Sequence, residues 1–405
     1  MKHGVFYADG SRVTALVSAA LLAMFLAGCG APTGGSGGEA EEPGPIETGS
    51  AAVPEKTASR EATTTGAGGD DGDRSAPTRV EVSTVAEDLR VPWSFAFLPD
   101  GDALVTERDS GRVLRVSSSG DVRQVQTLPE GGVGEGGLLG VAVSPRYESD
   151  RYVYAYTTTR SDNRVVRFRI GEEPEPVLTG IPVNSYHNGG RIGFGPDGML
   201  YVTTGDAGDT ANSQDRGSLG GKILRVAPDG SIPEDNPFPG SPVYSLGHRN
   251  VQGLAWDVRG RLYASEFGQN TWDEANRIIA GENYGWPEVE GEGGEGRGFV
   301  DPITVWPTSE ASPSGAEILV DGAIPQWEGD LFVTALRGES LWRLELDDRG
   351  TVTGRERLLQ GEAGRVRDVA QAPDGSLWVS TSNRDGRGTP AENDDRIFRL
   401  ASAGD

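Results

Sequence analysis

The sequence predicts an all-β fold, a six-bladed β-propeller built from four-stranded antiparallel sheets. Two observations favour it: a unit of similar sequence recurs six times, and each copy contains short alternating apolar runs joined by tight turns. The third is size, because a folded region of roughly 325 residues exceeds one ordinary hydrophobic core, a limit that repeated small sheets escape. A β-sandwich is the alternative architecture, which the regularity of the repeat disfavours.

The repeated unit keeps a constant order of parts. An alternating run leads into a turn, often Pro-Asp-Gly, and two further runs follow; Asp-Gly supplies the positive φ that a short hairpin needs. One small sheet cannot bury both of its faces, so copies about 55 residues apart are expected to stack radially. The four clear copies and two looser ones are Ser94–Gly120, Arg191–Gly230, Gly253–Ala280, Asp368–Ala401, Gly137–Ile170 and Trp327–Leu346.

The chain begins with features of an export signal. Lys2 and Arg12 make the start weakly basic, and Val13–Ala27 is an apolar run of about fifteen residues, too short for a stable membrane span. The run ends in Leu-Ala-Gly-Cys, which resembles the bacterial lipobox and predicts a lipoprotein signal peptide over residues 1–28 with lipid on Cys29. Cys29 is the only cysteine, so no intramolecular disulfide can form. An ordinary secretory signal is the alternative.

Composition divides the rest of the chain into two parts. Residues 29–78 are rich in Gly, Thr and Glu and poor in large apolar side chains, which predicts a disordered linker between lipid and domain. Residues 79–402 form the predicted propeller, and Arg79–Leu89 is expected to complete the last blade. The formal charge of −24 argues against nucleic acid as a partner and leaves the lipid as the only membrane contact. The protein is therefore expected outside the cytoplasm, anchored to the outer face of the cell membrane.

Two polar loops, one just before the copy Arg191–Gly230 and one within it, suggest acid–base chemistry. His187 lies in Ser-Tyr-His-Asn-Gly-Gly-Arg, just before a predicted strand, where a histidine can act as a general base near neutral pH. Asp206 ends the following strand and can orient that histidine and stabilise its protonated form. A structural loop histidine and ordinary turn chemistry are the alternatives for these two residues.

Two further loops lie just before the copy Gly253–Ala280 and within it. Arg249, in Leu-Gly-His-Arg-Asn-Val-Gln-Gly, can place a fixed positive charge beside a developing oxyanion, and an inter-blade hydrogen-bond network is the alternative. The segment Glu266–Asn276 offers carbonyl, carboxylate and amide oxygens of the kind that bind calcium, although the spacing is not that of an EF-hand. The aromatic loop Gly281–Pro287 follows at once.

Together these segments resemble the soluble glucose dehydrogenase and aldose sugar dehydrogenase family, whose members depend on pyrroloquinoline quinone (PQQ). The similarity extends from about Val91 to Leu400, and its most specific strings are GEGGLLGVAVSP, GKILRV, LGHRNVQGLAW and GENYGWP at Gly134–Pro145, Gly221–Val226, Leu246–Trp256 and Gly281–Pro287. In that family a six-bladed propeller binds PQQ over its channel, beside calcium.

The resemblance implies oxidation of aldose sugars at C1 to lactones. His187 matches the base that removes the anomeric hydroxyl proton while the C1 hydride passes to PQQ, Asp206 matches its carboxylate partner, and Arg249 matches the residue that stabilises charge at the quinone oxygen. Electrons then pass to an external acceptor, a quinone or a cytochrome. Cofactor contacts are implied at Glu135, Asn250, Trp306, Thr308, Arg337, Arg365 and Arg367.

Calcium is implied at the backbone carbonyls of Gly268 and Gln269, and Asp273 and Glu274 are expected to serve that region or a second, structural calcium. Three positions depart from the family pattern. Gln269 replaces a usual Pro, which a carbonyl ligand tolerates. Arg337 replaces a Lys, which keeps the charge but changes its geometry. Glu135 replaces the Gln of the glucose dehydrogenase and puts a carboxylate near an anionic cofactor.

Two other classes of function stay open at this point. A metal-dependent lactonase would hold a divalent ion in the channel with carboxylate and amide side chains, and Glu135 or Asp206 could contribute; the arginines would then have no role. A non-catalytic extracellular binding propeller would bind no PQQ.

Overall fold

The computed structural model describes residues 80–128, 132 and 134–402, and this part of the chain is mainly β-strand. Cys29, the signal over residues 1–28 and the linker over residues 29–78 lie outside the described residues. Within the described part, 24 strands form six antiparallel sheets of four strands each. The fold is a six-bladed β-propeller, and the predicted architecture is confirmed.

Each blade uses strands that are neighbours in the chain, except where the ring closes. In chain order the strands are β1 (Val80–Ala86), β2 (Pro92–Phe97), β3 (Ala103–Glu107), β4 (Arg112–Val116), β5 (Val122–Thr127), β6 (Leu138–Val143), β7 (Val153–Thr158), β8 (Asn163–Phe168), β9 (Glu175–Ile181), β10 (Ile192–Phe194), β11 (Leu200–Thr203), β12 (Lys222–Val226), β13 (Val243–Leu246), β14 (Val251–Trp256), β15 (Leu262–Glu266), β16 (Trp272–Ile278), β17 (Thr304–Pro307), β18 (Pro313–Ile318), β19 (Leu331–Ala335), β20 (Ser340–Leu346), β21 (Val352–Leu358), β22 (Val366–Gln371), β23 (Leu377–Thr381) and β24 (Ile397–Ser402). Blades one to five are β2–β5, β6–β9, β10–β13, β14–β17 and β18–β21, and blade six combines β22–β24 with β1.

The helical segments are short. Two single-turn α-helices, α1 (Tyr147–Asp150) and α2 (Ala211–Gln214), and two 3₁₀ turns, Glu295–Arg297 and Pro325–Trp327, lie in loops between strands. Across the described ranges, no helix has the length and apolarity needed to cross a bilayer.

The ring closes by pairing its first strand with its last. β1 runs antiparallel to β24, with Val80 opposite Ser402 and Thr84 opposite Phe398. The connection onward to blade one is held by Asp395, whose backbone carbonyl accepts the N–H of Leu89 at 3.0 Å and whose Oδ2 accepts that of Val91 at 3.0 Å. The prediction that the first strand-like segment completes the last blade is confirmed.

The Pro-Asp-Gly turns have one geometry in all four places where they occur. Their glycines have positive φ angles of 92°, 75°, 86° and 80° at Gly101, Gly198, Gly230 and Gly375. The aspartate of each turn accepts the backbone N–H two residues later, at 3.0–3.3 Å. The dipeptide therefore forms each hairpin through the glycine backbone and the aspartate side chain together.

The first strand of each blade lies nearest the central axis. Arg191, just before β10, donates to Ser94 Oγ on β2 at 2.7 Å, to Asp368 Oδ2 on β22 at 2.9 Å and to the carbonyl of Gln252 on β14 at 2.8 Å. These bonds join four blades across the axis. Because every blade has the same strand order, the loops before first strands and after second strands lie on one face of the ring.

Apolar side chains fill the spaces between blades. Tyr156, Val202 and Leu224, from blades two and three, are fully buried in one such cluster, and equivalent clusters occur around the ring. This packing stabilises the fold mainly by burying apolar surface, at about 25 cal/mol per Å². The polar loops on one face can therefore be specialised without disturbing the core.

Candidate active site

Loops on one face of the ring surround a cavity of about 520 Å³. Its lining comes from the loop before the first strand of a blade, from the opening residues of that strand and from the loop after the second strand. The antiparallel register places these segments side by side, as the pairing of Val251 with Glu266 illustrates in blade four. Prominent lining residues are Trp93, Arg108, Glu135, Gln252, Phe267, Arg337, Arg365, Arg367, Asp385 and Arg387.

The cavity carries an excess of positive charge. Five guanidinium groups and two carboxylates line it, and Asp109, outside the lining, pairs with Arg108 at 2.6 Å. Arg108, Arg365 and Arg367 are buried, whereas Arg337 and Arg387 are exposed at the rim. A guanidinium group presents forked donors that match carboxylates. The cavity is therefore suited to a ligand with several acidic groups.

One carboxylate holds the two buried arginines of blade six. Asp385 Oδ2 accepts hydrogen bonds from Arg365 Nε at 3.0 Å and Nη2 at 2.8 Å, and Arg367 Nη2 lies 3.5 Å away. Burial opposes ionisation of Asp385, but the two arginines outweigh it and hold the pKa of this carboxyl below its usual value. A single negative charge therefore compensates two positive ones.

Arg367 is a buried cation with incomplete pairing. Its Nη1 donates to Gln252 Oε1 at 3.0 Å, whereas its Nε has no hydrogen-bond partner in the described structure. The guanidinium lies over the ring of Trp93, 5.9 Å from the centroid. Burial lowers the pKa of Arg367 to about 9, and the charge of Asp385 offsets this only partly. Such a group stays charged at neutral pH and would gain from an anionic ligand.

His187 has a backbone conformation that few residues adopt. Its φ is +57°, in the left-handed region, and it is followed by Gly189 and Gly190, which also have positive φ. The loop packs directly against the end of β11, where a Cβ on Gly205 would overlap the carbonyl of His187. Non-glycine residues held at positive φ cluster at functional sites, which agrees with a functional role for this loop.

The imidazole of His187 is oriented by Asp206. Nδ1 of His187 lies 2.7 Å from Asp206 Oδ1, which also accepts the N–H of Gly208 at 2.8 Å, while Oδ2 accepts Trp286 Nε1 at 2.9 Å. Burial opposes ionisation of Asp206, but these three donors outweigh it and hold the pKa of the carboxyl below its usual value. No described residue hydrogen-bonds Nε2 of His187, which is left for a ligand.

Arg249 is a cation with only neutral acceptors. Its Nε donates to Gln269 Oε1 at 3.1 Å and its Nη1 to the carbonyl of Phe267 at 3.3 Å, and it stacks over Trp286 at 5.4 Å. Burial lowers its pKa, and the carboxylates of Asp206 and Glu266 offset this only partly. Its charge can therefore act on a ligand at the cavity edge.

His187 and Arg249 lie on the same rim and are connected through Asp206. The N–H of Asp206 donates to the carbonyl of Arg249 at 2.8 Å, while its carboxylate binds His187. The two side chains border the cavity rather than line it; their partners Glu135 and Phe267 are lining residues. The structure thus brings together the imidazole and the guanidinium that the resemblance pairs.

Glu135 has two partners. Its Oε2 accepts the backbone N–H of His187 at 3.2 Å, and its Oε1 forms an ion pair with Arg387 at 2.8 Å. The second contact spans blades two and six across the cavity mouth. The carboxylate that departs from the family pattern is therefore balanced by an arginine that the sequence did not single out.

The loop after β15 combines free carbonyls with braced carboxylates. In the described structure the carbonyls of Gly268 and Gln269 accept no hydrogen bond. Asp273 instead accepts the N–H of Gly268 at 2.9 Å and that of Ser312 at 2.6 Å, so both of its oxygens brace loops. Glu274 is buried opposite Glu266, and burial together with that neighbour raises its pKa well above the usual value.

Three implied cofactor contacts lie outside the cavity lining. Asn250 is buried, and its Oδ1 accepts the N–H of Gly189, next to the His187 loop, at 3.0 Å. Thr308 donates from its backbone to the carbonyl of Thr271 at 3.2 Å. Trp306 is 1% exposed and packs against Trp342 at 5.9 Å, within the core between blades four and five. Asn250 and Thr308 thus hydrogen-bond loops around the site, and Trp306 packs between two blades.

Several lining residues were not found from the sequence. They have a shared signal, because each occupies a repeat position that in another blade carries a predicted site residue. Arg108 and Asp385 follow second strands, as Asp206 and Arg337 do, and Gln252 holds the second position of a first strand, as Arg367 does. Aligning all six copies position by position would have indicated them. The lining residues that such an alignment would have indicated are Trp93, Arg108, Gln252, Asp385 and Arg387.

Comparison with known proteins identifies a consistent group. The model of the family described as glucose/sorbosone dehydrogenase matches residues 89–390. Quinoprotein glucose dehydrogenase B of Acinetobacter calcoaceticus is 30% identical, over 73% of this chain and 84% of the relative. An aldose sugar dehydrogenase of Escherichia coli is 29% identical, over 77% of this chain and 92% of the relative.

A solved structure is more similar still. The PQQ-bound form of an aldose sugar dehydrogenase from Streptomyces coelicolor is 52% identical, with a TM-score of 0.75. The match covers 80% of this chain and 99% of that one. The match therefore extends over almost the full length of that protein, whose structure holds PQQ.

Proposed function

The chain belongs to the glucose/sorbosone dehydrogenase family, as an oxidoreductase of the PQQ-type aldose sugar dehydrogenases, and we propose that it oxidises aldose sugars at C1 to lactones with PQQ and calcium. The observation that carries this proposal is the arginine-rich cavity, bordered by the His187–Asp206 pair and Arg249. His187 has positive φ and lies beside a buried carboxylate, an arrangement suited to a general base.

The cavity fits PQQ in charge. PQQ is a tricarboxylate, and an arginine-rich lining suits its negative charges. Arg365 and Arg367 are suited to its carboxylates, and the unpaired Nε of Arg367 would gain an acceptor. Arg337 at the rim can supply a third guanidinium. With the cofactor charge compensated, a neutral sugar is the natural substrate.

The loop after β15 fits calcium. Carbonyl oxygens are hard ligands that calcium prefers, and those of Gly268 and Gln269 accept no hydrogen bond from the residues that the structure describes. The side chains of Asp273 and Glu274 already accept backbone or amide hydrogens, so a role as calcium ligands would require those bonds to be exchanged. When bound, PQQ supplies a two-electron acceptor and calcium a Lewis acid that polarises it.

Three residues of this chain have separate roles in moving the proton and stabilising charge. We propose that His187 Nε2 takes the proton of the C1 hydroxyl as the C1 hydride leaves, so that a C1 carbonyl forms and the sugar becomes a lactone. Asp206 keeps the imidazole in place through Nδ1 and stabilises it when protonated. Arg249 stabilises negative charge that develops at the cavity edge.

Export, anchoring and the electron acceptor are part of the proposal. We propose that the chain is processed before Cys29, lipidated there, and displayed outside the cytoplasm, where a quinone or cytochrome re-oxidises the cofactor. Full-length protein should then partition into the membrane fraction, and a Cys29→Ala variant into the soluble one. Equal partitioning of the two would remove the anchor from the proposal.

The proposed function is tested by reconstitution. Purified protein would be loaded with PQQ and Ca²⁺ and assayed with an artificial acceptor dye on a panel of mono- and disaccharides. We expect sugar-dependent dye reduction that requires both additions. Bound PQQ with no reduction by any sugar would remove the sugar claim, absence of PQQ binding would favour a binding propeller, and lactone hydrolysis without PQQ would favour a lactonase.

A further inference from the structure

Glu290 organises the loop that carries the two free carbonyls. Its Oε1 accepts four consecutive backbone N–H groups, from Gln269 at 2.7 Å, Asn270 at 2.9 Å, Thr271 at 2.9 Å and Trp272 at 3.2 Å. Glu290 lies in the Gly/Glu-rich insert between β16 and β17, which the repeat does not explain. The role of this insert is thereby connected to the site.

Four N–H groups around one oxygen form a nest, the backbone arrangement that binds anions. The anion here is a carboxylate of the same chain. The loop is therefore fixed by one side chain of the insert, through four hydrogen bonds to a single oxygen.

The nest fixes the orientation of the loop's peptide groups. Because the N–H groups of residues 269–272 all donate to Glu290, the directions of the carbonyls in this segment are fixed as well. Those of Asn270 and Thr271 accept hydrogen bonds from Thr308, at 3.3 Å and 3.2 Å. Those of Gly268 and Gln269 accept none in the described structure, and the Gln269 side chain holds Arg249. The two free oxygens thus belong to a segment fixed from both sides.

We propose that Glu290 is a positioning residue for calcium, which holds the Gly268 and Gln269 carbonyls in a preformed arrangement. The inference rests on the proposed function. Residues that orient metal ligands without touching the metal typically change affinity 10–100-fold when they are removed. Loss of Glu290 should leave four amides without their acceptor and allow the two carbonyls to turn away.

The experiment compares Glu290→Ala with Glu290→Gln and with Glu292→Ala, a control in the same insert whose side chain is exposed. Calcium affinity would be measured by calorimetry on PQQ-loaded and PQQ-free protein, so that the ion linked to the cofactor is separated from any other. We expect Glu290→Ala to weaken the PQQ-linked calcium about 10–100-fold, Glu290→Gln to weaken it less because its amide oxygen still accepts, and Glu292→Ala to match the wild type.

A second readout distinguishes positioning from general instability. Thermal melts in EDTA should place the Glu290→Gln midpoint close to that of the wild type while its calcium affinity is already reduced. Wild-type calcium affinity in Glu290→Ala would overturn the inference and leave the proposed function intact. Absence of PQQ-linked calcium binding in the wild type would instead overturn the calcium part of the proposed function.

Discussion

Nδ1 of His187 lies 2.7 Å from Oδ1 of Asp206, across the gap between the loop before β10 and the loop after β11. Trp286 fixes the other oxygen of the carboxylate from blade four, at 2.9 Å. The histidine is thus oriented by residues from two blades, although it belongs to a loop with an unusual backbone. This arrangement suits a general base, because the hydrogen bond at Nδ1 fixes the orientation of the ring and so of the unpaired Nε2.

The base role predicts a large and specific effect of His187→Asn. Asparagine tolerates positive φ, so the loop should keep its conformation while the base is lost. We expect turnover with aldoses to fall about 10²–10⁴-fold and PQQ affinity to stay within a few-fold. Steady-state kinetics and a PQQ titration measure the two effects. Turnover within threefold of the wild type would exclude the base role.

The contact between Gly205 and His187 predicts that a single methyl group will disturb the site. A Cβ at Gly205 would overlap the carbonyl of His187 and approach Asn250 Oδ1 at 2.9 Å, so Gly205→Ala must displace the His187 loop. We expect a fall in turnover of at least about tenfold and a loss of roughly 1–3 kcal/mol in the free energy of unfolding. Gly296→Ala, where a Cβ meets open space, is the matched control and should change neither quantity.

Replacing Arg367 is expected to affect the stability of the cofactor-free protein and its affinity for PQQ in different ways. Its buried charge has an unpaired Nε, so Arg367→Met should leave the cofactor-free protein as stable as the wild type, or about 1 kcal/mol more stable. The same variant should bind PQQ about 10–100-fold more weakly, since a charged hydrogen bond contributes about 1.5–3 kcal/mol. Urea unfolding of the cofactor-free protein and a PQQ titration check the pair. A variant that loses stability but keeps PQQ affinity would make Arg367 a structural residue.

The ring closure predicts a pH dependence of stability. Burial raises the pKa of Asp395 from 3.8 to about 6, although the N–H groups of Asn383, Val91 and Arg384 oppose it. The native state therefore binds this proton more tightly than the unfolded state, so the contribution of Asp395 is full below pH 4 and is lost as pH rises through 6.

The size of this loss is on the order of 2–3 kcal/mol. Asp395→Asn cannot titrate and gives up one acceptor, so it should be less stable than the wild type at pH 4, with a deficit that shrinks toward pH 7. Urea unfolding at several pH values measures the difference. A deficit that does not change with pH would contradict the shift, and Asp121→Asn, at an exposed turn, is the control.

The fold was predictable because its determinants are local and repeated. The glycine at Gly101 or Gly375 adopts positive φ in the same turn wherever it occurs, and alternation decides the buried face of each strand. Even the closing strand could be identified, because Val80–Ala86 has strand character without a copy of the repeat beside it.

The site was predictable only in part. His187, Asp206 and Arg249 stand in loops that turn formation does not explain, so they could be singled out. The burial of Trp306 was not predictable, because it depends on packing of β17 against blade five, which no local pattern encodes. The Arg387–Glu135 and Glu290–Gln269 contacts join residues 252 and 21 positions apart, and only the folded ring reveals them.

The most direct test is the reduction of bound PQQ under single-turnover conditions, followed by absorbance after mixing with glucose and with glucose deuterated at C1. We expect the wild type to reduce the cofactor with a primary isotope effect, and His187→Asn to bind PQQ but reduce it orders of magnitude more slowly. PQQ reduction at equal rates in both proteins, or no reduction of tightly bound PQQ by any aldose, would contradict the account.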